Sequence, residues 1–277
     1  MSAAAPVVDP GGAEPADPAV AWILRAGVFC CFLGHGVLGL EQTAAWKSYF
    51  AVAGISGDQA LHLMPWVGAF DIALAFAVLL APIRGVVLYM VLWALWTSIL
   101  RPLAGESAWE AVERAGNFGA PWALYLLMAG GAGLRSWFQG RFRPALDAAR
   151  RRRVALVLRA TTVLLLAGHG ALGCLVVKPL LGHHYASIGL PGAAAEPWVG
   201  WFEIALAAAV AARPTVALLL GVVTWKLATE ALNPIAGSPV WVFIEHGGSY
   251  AAPLALAVLQ CRRSPAAAVA GRRAPAL

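Results

Sequence analysis

Apolar residues form eight long segments with few charges inside them and short polar stretches between them. A helix needs roughly 20 mostly apolar residues to cross the hydrocarbon core of a bilayer, so such segments are typical of transmembrane helices. The pattern predicts an all-α integral membrane protein with eight transmembrane helices. Their expected positions are residues 19–40, 66–81, 84–100, 118–134, 154–177, 198–212, 215–232 and 250–261.

The second, sixth and eighth segments are shorter than a straight span needs. We therefore expect their helices to extend into the flanking residues. Pro82 and Pro214 lie in the tight connections that follow the second and sixth segments. Because proline ends one helix and is tolerated at the start of the next, these connections predict helical hairpins.

The chain contains one unit twice. Residues 33–39 (LGHGVLG) return as 167–173 (AGHGALG), and residues 65–74 (PWVGAFDIAL) return as 197–206 (PWVGWFEIAL). Two more blocks recur in the same order: Trp93, Thr97, Pro102 and Gly105 return as Trp225, Thr229, Pro234 and Gly237, and Trp109, Glu113, Gly116 and Pro121 return as Trp241, Glu245, Gly248 and Pro253. A unit this long predicts a duplicated domain, since solenoid repeats are much shorter.

The repeat predicts the domain organisation. We expect a disordered N-terminal tail at 1–18, a first four-helix unit at 19–134, a basic cytoplasmic connector at 135–153, a second four-helix unit at 154–261, and a basic C-terminal tail at 262–277. Four helices per unit is an even number. The two units are therefore expected to be parallel four-helix bundles, related by an axis along the membrane normal.

The charge distribution predicts the orientation. Sixty per cent of the residues are hydrophobic, 12% are charged and the net charge is +6; the mean hydropathy is +0.72. With a cytoplasmic N-terminus, the inner side receives Arg25, Arg84, Arg135, Arg141, Arg143, Arg150 to Arg153, Arg159, Arg213, Arg262, Arg263, Arg272 and Arg273, and the outer side receives Lys47, Arg101, Arg114 and Lys178. This asymmetry indicates a bacterial inner-membrane protein with both termini in the cytoplasm. Nucleic-acid binding is not expected, because no basic groove with interleaved aromatic residues is present.

Polar residues inside the apolar segments are the candidate site. At about 1.5 Å per residue, His169, Glu203 and Lys226 lie at a shared depth of roughly 8–9 Å from the outer ends of three helices. Such groups persist in a membrane when they pair with one another or line a cavity. Glu203 and Lys226 form the expected ion pair, with Glu230 one turn beyond as a competitor for the lysine. A structural clamp between helices is the alternative interpretation.

The first unit retains only part of this set. His35 and Asp71 correspond to His169 and Glu203, but Ala94 and Ser98 stand where Lys226 and Glu230 stand. The full charge set is therefore expected in the second unit, which predicts the main site there. Trp93 and Trp225 lie deeper than the other tryptophans and are candidates to line a cavity.

The loops after the third and seventh segments predict an outer cap. Each loop contains Pro and Gly at turn positions and then a polar pair, which is Glu113 and Arg114 in the first unit and Glu245 and His246 in the second. A folded cap over the polar layer would close a pocket from the periplasmic side.

Three features of these units resemble the DoxX-like four-helix membrane proteins, a family that includes the small subunit of thiosulfate:quinone oxidoreductase. They are the Gly-His-Gly motif in the first helix, the loop at residues 185–191 (YASIGLP), and the acid early in the second helix, Glu203 or Asp71. Members usually carry one such unit, whereas this chain carries two. The resemblance implies a redox-linked or accessory role in a membrane complex, and it transfers no catalytic residue.

We expect a quinone-linked or accessory subunit of a membrane redox system, with quinone as the candidate cofactor. The chain has no cofactor-attachment motif, so electrons would enter from a periplasmic or membrane redox partner. Three alternatives remain open: a structural or assembly protein without catalysis, a small-solute transporter, and a protein that binds a metal or haem on the periplasmic side. For the metal, His183 and His184 are the candidate ligands, since imidazole suits copper, zinc and iron.

Overall fold

The computed structural model describes residues 14–15, 18–129, 133–140, 142 and 145–261. It is all-α, with 84% helix. In the first half the helices are α1 (Pro18–Leu40), α2 (Lys47–Val52), α3 (Gly57–Leu80), α4 (Arg84–Leu103), α5 (Ala108–Glu113) and α6 (Ala115–Leu127). In the second half they are α7 (Ala148–Ala171), α8 (Pro179–Ala186), α9 (Gly192–Ala212), α10 (Val216–Glu230), α11 (Leu232–Ile235), α12 (Val240–Glu245) and α13 (Gly247–Cys261).

Short irregular elements complete the described chain. One turn of π-helix at Leu172–Val176 continues α7, and 3₁₀ turns lie at Ala44–Trp46 and Leu134–Phe138. Two-residue strands at Glu14–Pro15 (β1) and Ala145–Leu146 (β2) pair antiparallel. This pair of strands was not predicted from the apolar pattern.

Six helices of the described chain are long and apolar enough to cross a membrane: Pro18–Leu40, Gly57–Leu80, Arg84–Leu103, Ala148–Val176, Val216–Ile235 and Val240–Cys261. These lengths and compositions agree with the membrane character predicted from the sequence. The other two predicted spans correspond to α6, which has 13 residues, and to α9, which has 21 residues but carries Glu196 and Glu203. Eight spans in two bundles remain a prediction.

The predicted boundaries shift in both directions. The helices of the second, sixth and eighth segments do extend into flanking residues, since α3 begins at Gly57, α9 at Gly192 and α13 at Gly247. The basic connector is shorter than predicted because α7 begins at Ala148, so Arg150 to Arg153 lie in the helix. Most of the predicted N-terminal tail and all of the C-terminal tail lie outside the described residues.

The two halves make matching contacts at the C-terminal ends of α3 and α9. Arg25 on α1 donates from Nε to the carbonyl oxygen of Val78 at 3.1 Å, and Arg159 on α7 donates from Nε to that of Val210 at 3.2 Å. These carbonyls lie in the last turns of α3 and α9, where helix carbonyls have no intrahelical donor. Each arginine therefore donates hydrogen bonds to backbone carbonyls at the C-terminal end of the next long helix in its own half.

The larger of two hydrophobic clusters runs through both halves, and the smaller one, made of Leu172, Leu181, Tyr185 and Leu232, lies in the second half. Helix α1 packs on α3 in its own half and on α12 and α13 of the other half, while α7 packs on α9 in its own half and on α5 and α6 of the first. Glycines allow the closest crossings. A Cβ on Gly34 would lie 2.6 Å from the backbone nitrogen of Glu245, and a Cβ on Gly168 would lie 2.6 Å from the Cα of Glu113. These crossings bring the cap acids beside His35 and His169.

Candidate functional site

An acid oriented by a tryptophan lies in each half. In the first half the indole N–H of Trp93 donates to Oδ1 of Asp71 at 3.0 Å, and in the second half that of Trp225 donates to Oε1 of Glu203 at 2.8 Å. Glu203 also accepts a hydrogen bond from Nδ1 of His169. The equivalent positions of α3 and α9 thus hold equivalent acids, and both side chains are buried.

Lys226 is buried between two carboxylates of the second half. Its Nζ lies 2.7 Å from Oε1 of Glu230 and 4.0 Å from Oε1 of Glu203, and the residue is 1% exposed. The structure therefore brings together His169, Glu203 and Lys226, as the shared depth predicted. Glu230, expected as the competitor, is the nearer partner of the lysine.

The outer cap is folded as predicted. Helices α5 and α12 follow sharp turns in which Gly105 has φ +93° and Gly237 has φ +94°, a backbone conformation that favours glycine. The cap does more than cover the polar layer. The side chain of Arg114 contacts Glu245 at 2.8 Å and Glu113 at 3.3 Å, so it joins an acid of each half.

The two cap acids and the polar layer form one continuous ion-pair network. His35 lies 3.6 Å from Glu245, and His246 lies 3.4 Å from Glu113 and 3.6 Å from Glu230. In order of contact, the ion-pair network consists of His35, Glu245, Arg114, Glu113, His246, Glu230, Lys226, Glu203 and His169. Every predicted residue of the polar layer and the cap except Asp71 belongs to it, whereas the candidate metal ligands His183 and His184 do not. Sequence depth placed the groups in one layer, but the packing of α1 on α12 and α13, of α6 on α13, and of α5 and α6 on α7 joins the two halves.

Burial and charge act against each other at Glu113. Burial alone would raise the pKa of its carboxyl group, because a charged form is costly in a low dielectric. Arg114 and His246 outweigh this effect and hold the pKa of Glu113 well below its usual value. Glu113 is therefore ionised at neutral pH and adds a full negative charge to the network.

A cavity of about 240 Å³ lies in the first half. Its lining is mostly aromatic and apolar, together with polar groups that include residues of the ion-pair network. The walls include Trp46, Tyr49, Phe50, Trp93 and Trp96, and the polar lining includes His35, Asp71, Arg101, Arg114 and Asn117. The space in the second half is about 90 Å³ and is bordered by Glu113, His169, Glu230 and His246.

The side chains at two positions account for this difference. Ser98 lines the 240 Å³ cavity and Ala94 lines a smaller adjoining one, whereas their equivalents Lys226 and Glu230 are large buried side chains. The predicted charge set is therefore in the second half, while the room for a ligand is in the first. The expected lining role of Trp93 is confirmed, and Trp225 instead orients Glu203.

Several lining residues were not singled out from the sequence. Tyr49 donates its hydroxyl to Glu106, and burial together with that carboxylate raises the pKa of Tyr49 to about 12. Arg101 lies 3.1 Å from Glu106 and 3.6 Å from Glu110. Lys178 reaches Glu110 at 2.5 Å. These pairs fix the cap onto α2 and the chain before α8, and their only sequence signal is the high density of charge in the outer loops.

One group within the described chain brings enough ligand atoms together for a metal ion. It consists of Glu113, Glu230 and His246, whose ligand atoms all lie within 4.8 Å of one another. Arg114 already contacts Glu113 and Lys226 already contacts Glu230, so we assign the group to the ion-pair network. The predicted metal candidates do not join it: His183 is exposed, while burial lowers the pKa of the neighbouring His184.

Comparison with known protein families, with curated proteins and with solved structures found no match. The similarity to DoxX-like proteins therefore rests on the sequence motifs alone, and the function is argued from the site.

Proposed function

We propose that the chain is an eight-span inner-membrane subunit that binds the ring of a quinone in the first-half cavity and serves a membrane redox system. The observation that carries the proposal is the cavity itself, which lies within a set of apolar helices and is lined by aromatic side chains and by polar groups, among them the buried Asp71 and Asn117. A quinone ring has two apolar faces and a carbonyl oxygen at each end. Aromatic walls suit the faces, and hydrogen-bond donors suit the oxygens.

The polar side chains that line the cavity offer two kinds of group to such a ring. His35 and Arg114 supply N–H donors for a carbonyl oxygen, and Asp71 supplies a carboxyl group whose one hydrogen bond within the described chain comes from Trp93. Helix α2, which lies between α1 and α3 along the chain, contributes Tyr49 and Phe50 to the lining of the cavity. A partner protein would supply the electrons, since the residues of the cavity carry no redox group.

Filling the cavity tests this proposal. Ser98 is 3% exposed and lines the cavity, and its hydroxyl donates to the carbonyl oxygen of Ala94 one turn earlier. We expect Ser98→Leu to weaken binding of a short-tailed benzoquinone at least 10-fold, because the leucine occupies the ring's space. Isothermal titration calorimetry on protein in quinone-free nanodiscs provides the measurement.

Thr224→Leu is the matched control for this substitution. The Thr224 hydroxyl makes the same contact, to the carbonyl oxygen of Leu220 at 3.1 Å, but its side chain is exposed on α10. This variant should bind the quinone as the unmodified protein does. If Ser98→Leu bound the quinone as tightly as the unmodified protein does, the quinone would not bind in this cavity. If the unmodified protein did not bind the quinone at all, the proposed function itself would be wrong.

The proposed orientation has its own test. We expect a cysteine placed at Ser107, in the outer cap, to react with a membrane-impermeant maleimide added to spheroplasts. A cysteine at Arg143, which lies outside the described residues, should react only after the membrane is opened. The expectation rests on the excess of arginine on the inner side. The reverse labelling pattern would invert the topology and place the ion-pair network on the cytoplasmic side.

A further inference from the structure

The cavity of the second half brings metal-ligating side chains together. Glu113, Glu230 and His246 border it, each is 6% exposed or less, and their ligand atoms lie within 4.8 Å of one another. They come from three places in the chain: the last residues of α5 and α10 and the residue after α12. Two carboxylates and an imidazole suit a divalent transition-metal ion such as Zn²⁺. No other group within the described residues brings three such ligand atoms together.

The ring of His246 is held as metal-binding imidazoles usually are. Its Nδ1 lies 2.7 Å from the carbonyl oxygen of Val242, and because a carbonyl can only accept, Nδ1 carries a hydrogen. A metal-ligating imidazole almost always donates its other N–H to a carboxylate, a backbone carbonyl or water. The backbone of α12 therefore makes Nε2 the ligand atom, and Nε2 faces Oε1 of Glu113.

The distance between Nε2 of His246 and Oε1 of Glu113 fits two ligands of one ion. It is 3.4 Å, whereas a charge-assisted N–H···O bond is about 2.7–2.9 Å long. Zinc binds nitrogen and oxygen ligands at about 2.0–2.2 Å in tetrahedral geometry, which places two ligands about 3.3–3.6 Å apart. The separation is thus long for a direct charge-assisted hydrogen bond and suits an ion bound by both atoms.

The cations of the ion-pair network leave one oxygen of each carboxylate for the ion. Arg114 contacts Oε2 of Glu113 at 3.3 Å, and Lys226 contacts Oε1 of Glu230 at 2.7 Å. The other two oxygens, Oε1 of Glu113 and Oε2 of Glu230, lie 3.4 and 3.6 Å from the ring nitrogens of His246. These carboxylates can therefore belong to the network and bind a metal ion at the same time.

The network has fewer permanent cations than acids. It contains four glutamates, each 6% exposed or less, and its permanent cations are Arg114 and Lys226. A buried carboxylate without a compensating charge is strongly unfavourable. One divalent ion supplies the two positive charges by which the four acids exceed the two cations.

A buried imidazole nitrogen in the same cavity points to water bound to such an ion. His184 on α8 is 4% exposed and borders the cavity, and its Nε2 has no hydrogen-bond partner within the described chain. The cavity volume of about 90 Å³ is enough for several water molecules. A metal-bound water is a suitable partner for this nitrogen. Lys178, whose side chain is 30% exposed, borders the same cavity and marks a route from the protein surface.

We infer that Glu113, Glu230 and His246 bind one divalent transition-metal ion, with water completing its coordination in the second-half cavity. Glu113 belongs to the first half and the other two ligands to the second, so the ion links the halves. The corresponding pair His35 and Glu245 lies 3.6 Å apart but has no third ligand atom close enough in the described chain. The inference goes beyond the proposed quinone function and does not depend on it, because none of the three ligands lines the first-half cavity.

Zinc binding to protein without a histidine tag tests the inference. The protein is prepared in quinone-free nanodiscs, stripped with a chelator and titrated with Zn²⁺ by calorimetry, and the zinc retained after desalting is counted by atomic emission. We expect one zinc per chain. His246→Gln and Glu230→Gln should each bind it about 100-fold more weakly or worse, since even the outer partners of metal ligands contribute 10- to 100-fold. Folded, unmodified protein that retains no zinc overturns the inference.

Glu245→Gln is the matched control for Glu230→Gln. It removes an equally buried carboxylate of the same network that is not one of the three ligands. This variant should retain one zinc and bind it roughly 10-fold more tightly than Glu230→Gln, or better. Equal losses in the two variants would mean that net charge, not coordination, determines zinc binding, and would overturn the inference.

X-ray absorption of the zinc in the unmodified protein decides the matter if a variant fails to fold. We expect one imidazole among oxygen ligands, as His246, the two carboxylates and water provide. Any other ligand set, such as one with sulfur or with several imidazoles, would place the ion elsewhere in the protein and overturn the inference.

Discussion

Replacing Lys226 with methionine is expected to destabilise the folded protein by about 3–5 kcal/mol, the range found when one partner of a buried ion pair is removed. Lys226 is the largest of the fully buried side chains in the described chain, and its ammonium lies between Glu203 and Glu230. Methionine keeps most of the side-chain volume but removes the charge. Two carboxylates of the second half would then lack their nearest cation.

Lys226→Met/Glu230→Gln separates charge from packing. The second substitution removes the carboxylate nearest to the lysine, so we expect the double variant to be more stable than Lys226→Met alone. Thermal unfolding in detergent provides the measurement. Lys178→Met serves as the control, since the Lys178 side chain is 30% exposed in its pair with Glu110 and should cost at most about 1 kcal/mol. Additive single and double effects would mean that the lysine and the acid are not coupled.

Gly116→Ala is expected to cost about 1–3 kcal/mol, which is typical of overpacking a close contact. Gly116 on α6 faces Ser249 and Gly248 on α13, where the two halves cross. A Cβ there would lie 2.7 Å from the backbone nitrogen of Ser249 and 2.9 Å from the carbonyl carbon of Gly248. Both are backbone atoms, so the helices themselves would have to separate. That separation would also pull Arg114, next to α6, away from Glu245.

Gly221→Ala is the matched control for the helix crossing. Gly221 lies within α10, is exposed, and would have no heavy atom within 4 Å of an added Cβ. Alanine is the better helix former by roughly 0.5–1 kcal/mol, so this variant should be as stable as the unmodified protein or slightly more stable. The comparison uses the same thermal unfolding measurement. Equal stability of the two variants would show that the halves do not depend on close packing at Gly116.

Part of the site was predictable because depth along a helix depends on sequence alone. Residue counting placed His169, Glu203 and Lys226 in one layer, and the structure brings their side chains together. The recurring Pro and Gly in the outer loops predicted the folded cap, and the left-handed backbone of Gly105 and Gly237 agrees with it. The apolar segments predicted the all-α membrane class, because they are long and contain few charges.

What the sequence could not provide was which helix faces which. The contacts of His35 with Glu245 and of His246 with Glu113 each join residues of different halves, and they depend on how the helices of one half pack on those of the other. The nearer partner of Lys226 was also undecided, because Glu203 and Glu230 are both within reach of its long side chain.

The location of the cavity also depends partly on the sequence and partly on the tertiary structure. The sequence by itself determined that small side chains, Ala94 and Ser98, stand in the first half where Lys226 and Glu230 stand in the second. Small residues leave a cavity only when their neighbours do not close around them, and in this fold Trp93 lines the cavity with its indole N–H bonded to Asp71. Sequence therefore determined the membrane class and the depth of the charged groups. Tertiary packing alone decided which charges meet and where a ligand has room, because both depend on distances between helices that are far apart in the chain.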